Sequence, residues 1–572
     1  MHTSSGLQPA CEVMMGKHVS QQTTHQPRLP LGGIITMLAL LLYAGVPLLA
    51  GFDGFFGQDP FGYYDYAVQI LESARAARLP PPYYWPIGYP ALVAASFALA
   101  GAAPLVAQAV SILAGVGIVR LVYALAWELA VQSRAEMPLP SRNGGEWRSH
   151  HGHRMNPVSD TPKRAEARWT RSNALQRVLH SSSGLKPACC AEARFVAATS
   201  ALLALGCGQL WLWSVSIMAD TTALFWATLA AWALARYGRA MQLRWLALAA
   251  VALAAALMSR WLYGLLVVPF GLYWLVALSG AANRKARVLH AAVAVALGLL
   301  ALSPQIAVSA AAPQALLGHQ WLTGWSPLNA LRRSFETPDG VASYPLPVAL
   351  FYAKAAASPR FLVPLFTPFL LLGAAALAWQ RGRMAALLLG WGALMYLFLS
   401  GIPYQNFRFT LALLPPIAIT AAYGLMLVWR RAAPTWRTLM LAGLALGLAA
   451  SIVYNAGVLR EQFARKRSDV AVARWVEAQL GPGDRLLAFE LTLTLQHYTP
   501  LDVRELFDLT QDEVQAFAAD ERPTFLLVDV ADLTGQWSNL APDRNYRWLR
   551  DTPGLVPLGE QQQYSLFRVE KP

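Results

Sequence analysis

The stretch Gln58-Asp59-Pro60-Phe61-Gly62-Tyr63-Tyr64-Asp65-Tyr66-Ala67 lies just beyond the first long apolar run. The chain soon turns back to apolar sequence through Tyr84-Trp85-Pro86-Ile87-Gly88-Tyr89-Pro90. A carboxylate, a set of aromatic rings and a Pro/Gly-rich return at the edge of a span together point to a reaction at a membrane surface. The composition agrees with that setting. Of 572 residues, 56% are hydrophobic and 14% charged, Trp occurs 20 times, and mean hydropathy is +0.37. This balance belongs to a polytopic membrane protein rather than a soluble one with an anchor. The net charge of +14 falls mostly in short loops between apolar runs, as membrane topology demands, which argues against a nucleic-acid partner. Cys11, Cys189, Cys190 and Cys207 show neither metal-ligand spacing nor a disulfide framework.

Runs of about 20 apolar residues, enough to cross the hydrocarbon core as helix, recur over 31–51, 104–128, 194–216, 221–238, 243–257, 261–279, 287–307, 361–379, 384–400, 408–429 and 437–457. The first reads as a retained signal anchor, because a polar stretch precedes it. The run over 89–103 is short, Ala/Gly-rich and bounded by prolines; counting it would make twelve spans. Basic residues decide between the two counts. With eleven spans and a cytoplasmic N-terminus, Arg236/Arg239/Arg244, Arg284/Lys285/Arg287, Arg381/Arg383 and Arg430/Arg431/Arg437 all occupy inner loops. The 89–103 run is therefore expected to be an interfacial or partly inserted helix on the outer face.

The expected fold is a polytopic α-helical membrane protein of about 11 transmembrane helices plus outer juxtamembrane helices, with a small C-terminal extracytoplasmic α/β domain. Its divisions are a cytoplasmic tail over 1–30, a transmembrane domain over 31–458 with outer loops at 52–103 and 308–360, and a soluble domain over 459–572. Residues 131–193 read as a disordered basic cytoplasmic insertion. His150-His151-Gly152-His153 within it reads as solvated linker rather than metal site. The end of the insertion, His180 to Cys189, nearly repeats His2 to Cys11, a repeat too short for a solenoid unit. In the C-terminal region, Ser468 is expected to cap a helix running to Leu480, and Thr510-Gln511-Asp512-Glu513 to form a capping box. Strands are predicted at 485–489, 524–530 and 564–569. No phosphate loop, nucleophile elbow or metal motif occurs there, so docking or acceptor selection suits the domain better than catalysis.

Orientation sorts the polar residues, since those at outer span ends can converge on one site. Asp53, Asp59 and Asp65 fall in the first outer loop, Asp220 follows Ser216-Ile217-Met218-Ala219, Arg260 sits in an outer turn before Trp261, and Arg408 follows Pro403-Tyr404-Gln405-Asn406-Phe407. Ionisable groups at span ends also serve as interfacial anchors. Tyr63, Tyr64, Tyr83, Tyr84 and Trp85 read equally as a platform for a sugar or as an interfacial aromatic belt.

In this order along the chain, these residues resemble the membrane glycosyltransferases of the C-type fold that use polyprenyl-phosphate sugars. That group includes the protein O-mannosyltransferases and the aminoarabinose transferases of lipid A. The resemblance covers most of 31–460. It rests on Asp59-Pro60-Phe61-Gly62-Tyr63-Tyr64 with Tyr84 to Leu92, and on looser echoes at Met218-Ala219-Asp220-Thr221-Thr222, Met258-Ser259-Arg260-Trp261, Asn406-Phe407-Arg408-Phe409 and Leu413-Leu414-Pro415-Pro416. It implies an inverting transfer of sugar from a lipid-phosphate donor to an acceptor hydroxyl at the outer face, with Asp59 as general base. Arg260 and Arg408 would then hold the leaving phosphate, and Asp65, Tyr63, Tyr64, Trp85, Tyr89 and Asp220 would contact substrate. Two departures stand out: Pro60 follows Asp59 where many relatives carry a second acid, and Trp85 stands where many have Lys or His.

The implied partners are a polyprenyl-phosphate sugar donor, a glycan, lipid or protein acceptor, and membrane lipid. No cofactor is expected, and no outer-side cluster has metal-ligand spacing, so no metal is expected to be essential; a divalent ion is left open. The expected location is a bacterial inner membrane, multi-pass, with the C-terminal domain periplasmic or extracellular. Two alternatives remain at this level. A transporter or flippase would line a path with charges, yet the runs carry few ionisable residues away from their outer ends. The other alternative is a non-catalytic envelope scaffold.

Overall fold

A computed structural model of the chain describes residues 31–83, 85–136, 187–278, 284–311, 324–337, 340–380 and 382–571. The histidine cluster, the sequence repeat over 2–11 and most of its copy, and most of the basic insertion lie outside these residues. Each of the eleven apolar runs contains helix. The transmembrane part is built from α1 (Leu31–Ala50), α2 (Asp59–Arg75), α3 (Gly88–Ala100), α4 (Pro104–Glu136), α5 (Pro187–Leu205), α6 (Gly208–Ser214), α7 (Ala219–Ala240), α8 (Leu243–Ser259), α9 (Val267–Leu278), α10 (Arg284–Ala311), α11 (Val348–Ala353), α12 (Thr367–Gln380), α13 (Arg383–Ser400), α14 (Leu414–Arg431) and α15 (Pro434–Gln479).

Among the described residues, six helical segments are long and apolar enough to cross a bilayer: α1, α4, α10, α13, the Phe407–Arg431 segment that ends in α14, and α15. A seventh is the broken pair α5 and α6, bent by 59°. The expected single span over 194–216 is thus interrupted at Gly206 and Cys207, where the freed carbonyl of Gly206 accepts from Ser451 Oγ at 2.6 Å and Asn455 Nδ2 at 3.0 Å. The expected runs 243–257 and 261–279 are the 17-residue α8 and a 3₁₀ turn leading into the 12-residue α9, divided where the chain becomes extended at Arg260 (φ −153°, ψ 122°). The 89–103 run forms α3.

Burial separates the layers. In the Phe407–Arg431 segment 83% of the apolar window is buried, against 17% in α10 and 22% in α1. The former is the bundle's centre, and the latter two present Leu289, Leu300, Ile34 and Leu41 outward, as lipid-facing helices must. At the centre, α12 crosses α14 backbone to backbone. A Cβ on Gly424 would stand 1.9 Å from the Phe369 carbonyl oxygen, and one on Gly373 2.1 Å from that of Thr420. Small residues allow such close crossings where no hydrophobic effect drives helices together.

Three helices carry a prospective site residue at one end and a basic cluster at the other. Asp220 opens α7 and Arg236 and Arg239 close it; Arg244 opens α8 and Arg260 follows it; Arg408 precedes α14 and Arg430 and Arg431 end it. At the basic end, Glu128 of α4 pairs with Arg236 (2.6 Å) and Arg239 (3.3 Å), and Glu192 of α5 with Arg430 (2.5 Å).

Helix α15 has 46 residues, about twice the span requirement. Its charged second half, beginning at Arg460, continues into the C-terminal domain. Ser468 therefore lies inside a continuous helix and does not cap one; its hydroxyl instead donates to Gln562 Oε1 at 2.6 Å. The domain is a five-stranded sheet of β3 (Arg485–Ala488), β4 (Asp502–Glu505), β5 (Thr524–Val528), β6 (Leu555–Gln561) and β7 (Tyr564–Val569), ordered β4-β3-β5-β7-β6. Here β3 runs parallel to β4 and β5, and β7 antiparallel to β5 and β6. A separate hairpin, β1 (Ser334–Thr337) with β2 (Gly340–Ser343), sits in the 324–366 loop.

Strands β3 and β5 are buried on both faces. On one face Leu486 and Ala488 pack with Val472, Ala473 and Val476 of α15 and with Leu495 of α16 (Thr492–Tyr498). On the other, Leu487 and Leu526 meet Val514, Leu533 and Leu549 of α17 (Gln511–Ala519), α18 (Val530–Thr534) and α19 (Ala541–Asp551). The alternation is the strand's period of two. The capping box is present: Thr510 Oγ1 accepts from Glu513 N at 3.4 Å, and Glu513 Oε2 from Thr510 N at 2.8 Å. The strand signals at 485–489, 524–530 and 564–569 match β3, β5 and β7 closely, whereas β4 and β6 were not foreseen.

The central crossing yields a test. Gly424→Ala should lower the thermal midpoint in detergent, overpacking costing about 1–3 kcal/mol. Gly45→Ala, with nothing within 4 Å of its added carbon, should leave the midpoint unchanged.

Candidate active site

Helix α2 begins with Asp59 at its first position and Pro60 directly after it. A proline there loses no intrahelical hydrogen bond, and a carboxylate in the first turn suits the helix dipole. The turn leading to Asp59 is fixed by its neighbours. Gly54 adopts φ +90°, and a Cβ on it would meet Ile217 Cγ1 at 2.8 Å; its carbonyl accepts from Ile217 N at 3.1 Å. From α4, Gln108 Nε2 donates to the Phe52 carbonyl (3.1 Å) and the Val215 carbonyl (2.7 Å). One buried amide thereby ties the Asp59 loop to the segment that leads into α7. Ser111, one turn further along α4, binds both backbone groups of Met218 and the Tyr89 hydroxyl. This sets the start of α7, and with it Asp220.

Arg260 and Arg408 come from irregular backbone. Arg260 occupies the extended link between α8 and a 3₁₀ turn at Trp261–Leu266. Gly88 lets the Pro-rich return pass against this link, because a Cβ there would lie 2.7 Å from the Met258 carbonyl group. Arg408 sits in a 3₁₀ turn at Phe407–Leu413 capped by Asn406, whose Oδ1 accepts from Arg408 N at 3.0 Å.

The four charges meet in one network. Arg408 Nη1 donates to Asp59 Oδ2 at 2.6 Å, Arg260 Nη2 donates to Asp220 Oδ2 at 2.6 Å, and Arg408 Nε stands 3.8 Å from Asp220 Oδ1. Asp220 and Arg408 are nearly sealed (side chains 9% and 13% exposed), whereas Asp59 is open at 30%. The Arg408 guanidinium also lies 5.4 Å from the centre of the Trp213 ring and 5.5 Å from that of Phe409, a cation–π arrangement that holds it in place. Two cations and two anions cancel, which allows the group to be buried. The network is not saturated. Arg260 Nε, Arg408 Nε, the Tyr63 hydroxyl, Thr221 Oγ1 and Thr222 Oγ1 are buried without hydrogen-bond partners among the described residues. Such donors are expensive unless something fills them, and two guanidiniums with spare N–H groups match an anion of phosphate geometry.

Of the residues anticipated from sequence, Asp59, Asp220, Arg260 and Arg408 come together. Tyr63 lies fully buried beside them, its ring stacked on Trp85 (4.1 Å) and edge-on to Tyr89 (5.2 Å). Both rings thus cover Tyr63, and it offers the network its hydroxyl rather than an open face; burial holds its phenol above the ordinary value. Tyr64 points elsewhere, packing on Phe55, Phe97 and His497. Asp65 is exposed on α2 and joins none of the ion pairs among the described residues. Sequence reasoning overlooked Gln108, Ser111, Trp213 and the capping role of Asn406. The first two were detectable as polar side chains three residues apart in an apolar run, hence on one helix face. Among the described residues no group of three or more His, Cys, Asp or Glu could hold a metal.

No known family signature matches this sequence and no curated protein resembles it at the sequence level. Solved structures do resemble it. ArnT from Cupriavidus metallidurans bound to undecaprenyl phosphate superposes with a TM-score of 0.58 at 13% identity, over 94% of this chain and 99% of that one. The same protein in the apo state gives 0.55 at 14%, with the same shares covered. The Archaeoglobus fulgidus oligosaccharyltransferase tethered with an acceptor peptide gives 0.52 at 11%, over 94% of this chain and 74% of that one. At such identities the likeness is one of architecture, and this polytopic membrane protein has the C-type membrane glycosyltransferase fold.

Proposed function

We propose that the protein moves a sugar from a polyprenyl-phosphate donor to an acceptor hydroxyl on the outer face of a bacterial inner membrane, with inversion at the anomeric carbon and Asp59 as general base. The observation that carries this reading is the unsaturated network: an accessible carboxylate held at 2.6 Å by a guanidinium that, with a second guanidinium, keeps unused buried donors. Two of the similar structures contain undecaprenyl phosphate and a dolichol-phosphate, and a phosphate on an isoprenoid is the anion such donors would accept. The basic clusters at the opposite ends of α7, α8 and α14 support placing the network outside, since positive loops stay cytoplasmic.

In the reaction, the donor's phosphate takes hydrogen bonds from Arg408 and Arg260. Arg408 then shares its charge between Asp59 and the phosphate, and Asp59 becomes available to the acceptor. Asp59 removes the hydroxyl proton as the acceptor oxygen bonds to the anomeric carbon, and the bond between that carbon and the phosphate oxygen breaks. The electron pair leaves with the polyprenyl phosphate, whose added charge the guanidiniums stabilise in a poorly solvated site. The proton remains on Asp59 until solvent takes it. Asp65, exposed and apart, suits no nucleophilic role, consistent with a single displacement rather than a covalent intermediate. Asp220 holds Arg260 in position, and Trp85 and Tyr89 wall the site beside Tyr63.

Two measurements test this. Membranes holding wild type or Asp59→Asn at equal abundance should differ by about 10²- to 10⁴-fold in transfer of labelled sugar from polyprenyl-phosphate donors; equal transfer would remove Asp59 from the chemistry. The product of an α-linked donor should be β-linked, or the reverse, and retention would refute direct displacement.

A further inference from the structure

The loop before Asp59 is also held from the soluble side. Phe52 stacks on Phe463 of α15 at 4.5 Å, and the Gln58 amide donates to the carbonyl of Glu490, which follows β3. Between these points lies Lys466, an α15 lysine whose side chain is only 9% exposed. Its ammonium donates to the Tyr498 hydroxyl at 2.7 Å, and that hydroxyl donates to Asp53 Oδ2. Lys466 Nζ also stands 3.8 Å from Asp53 Oδ1, an oxygen that accepts from Phe55 N at 3.1 Å. The rings of Tyr498, Phe61 and Phe55 surround the ammonium at 4.3, 5.2 and 5.5 Å. Burying a lysine among rings with one part-exposed carboxylate is a poor way to gain stability, since apolar substitutes of similar volume usually serve as well. The arrangement makes sense if its output is geometry.

We infer that Lys466 and Tyr498 are positioning residues: through Asp53 they latch the 53–58 turn, and thereby set the Asp59 carboxylate against Arg408, so that the C-terminal domain governs the transfer step. This rests on the assignment of Asp59 as base. A displacement of about 1 Å at a reacting group costs on the order of 10²-fold in rate, and Asp59 directly follows the residue tied to Glu490.

The latch is linked to the protonation of Lys466. Burial pulls the Lys466 ammonium down to about 8, while Asp53 and Asp469 push it back up. Facing it are Asp53 from the loop, Tyr498 and His497 from α16, and Asp469 from its own helix, with Arg465 acting on Asp469. Because burial lowers it, the latched lysine binds its proton less tightly than a solvent-exposed one, so raising the pH through about 8 removes the burial penalty and favours the latched state.

The test uses full-length protein in nanodiscs: wild type, Lys466→Arg, Lys466→Met and Tyr498→Phe. Backbone hydrogen exchange over residues 52–66, corrected for its intrinsic pH dependence, is read from pH 7 to 9.5 beside sugar transfer. Wild-type protection should rise as the pH passes about 8, while Lys466→Arg, charged throughout, should show no such rise. Lys466→Met and Tyr498→Phe should be unprotected at pH 7, with kcat down about tenfold or more and donor KM nearly unchanged. Should the methionine variant fail to fold, Tyr498→Phe, which keeps the ring, carries the comparison. Wild-type protection in Lys466→Met and Tyr498→Phe, or an identical alkaline rise in Lys466→Arg, overturns the latch. Wild type that is protected where Tyr498→Phe is not, yet transfers no sugar, overturns the glycosyl-transfer reading and leaves the latch standing.

Discussion

Two guanidiniums shared between two carboxylates at one end of a helical bundle are the constraint on which the site depends. Each ion would cost several kcal/mol to bury alone. Together Asp59, Asp220, Arg260 and Arg408 are neutral, and contacts of 2.6 Å recover much of the penalty. The four residues lie far apart in sequence, so their meeting requires α2, α7, the α8 break and the turn before α14 to be placed within a hydrogen bond's tolerance. An apolar core would hold these elements together as well or better. What the charges add is a group of donors and an acceptor that can exchange partners.

The scaffold around them shows how such placement is achieved inside a bilayer. Polar side chains of α4 bind loop backbone rather than one another: Gln108 clamps two segments and Ser111 a third. Close backbone passages, at Gly54 and Gly88 beside the site and at Gly373 with Gly424 in the centre, set distances that side chains cannot. Helix α15 then carries the frame out of the membrane and becomes one face of the sheet domain, so bundle and domain are joined by one continuous helix, by the Asp53 contacts and by the Gln58 hydrogen bond to Glu490.

Much of this was legible in the sequence. Apolar runs mark the helices because hydrocarbon thickness imposes their length, and the basic clusters in the loops set an orientation that puts Arg260, Arg408 and Asp220 at a common level. The C-type fold itself was readable from the order of weak motifs. What stayed hidden was of two kinds. Strand β6 is an edge strand carrying Pro557 and Gly559, with a bulge between them, and such strands lack the periodic signal of buried ones. The continuity of α15 through Ser468 was hidden too, because a serine in a polar context reads as a cap until tertiary packing overrides it. Within the site, residue type could not separate Tyr63 from Tyr64. One turns toward the network and the other toward the domain, a difference set by α2's rotation rather than by composition.

In the proposed reaction Arg408 is shared between Asp59 and the phosphate of the donor. The most direct measurement is the affinity of undecaprenyl phosphate for purified wild type and Asp59→Asn at fixed salt, with Arg408→Gln as the reference for loss of the site. Removing the competing carboxylate should tighten binding severalfold in Asp59→Asn while Arg408→Gln weakens it. Unchanged or weaker binding by Asp59→Asn, or full affinity in Arg408→Gln, would contradict the shared guanidinium and the mechanism built on it.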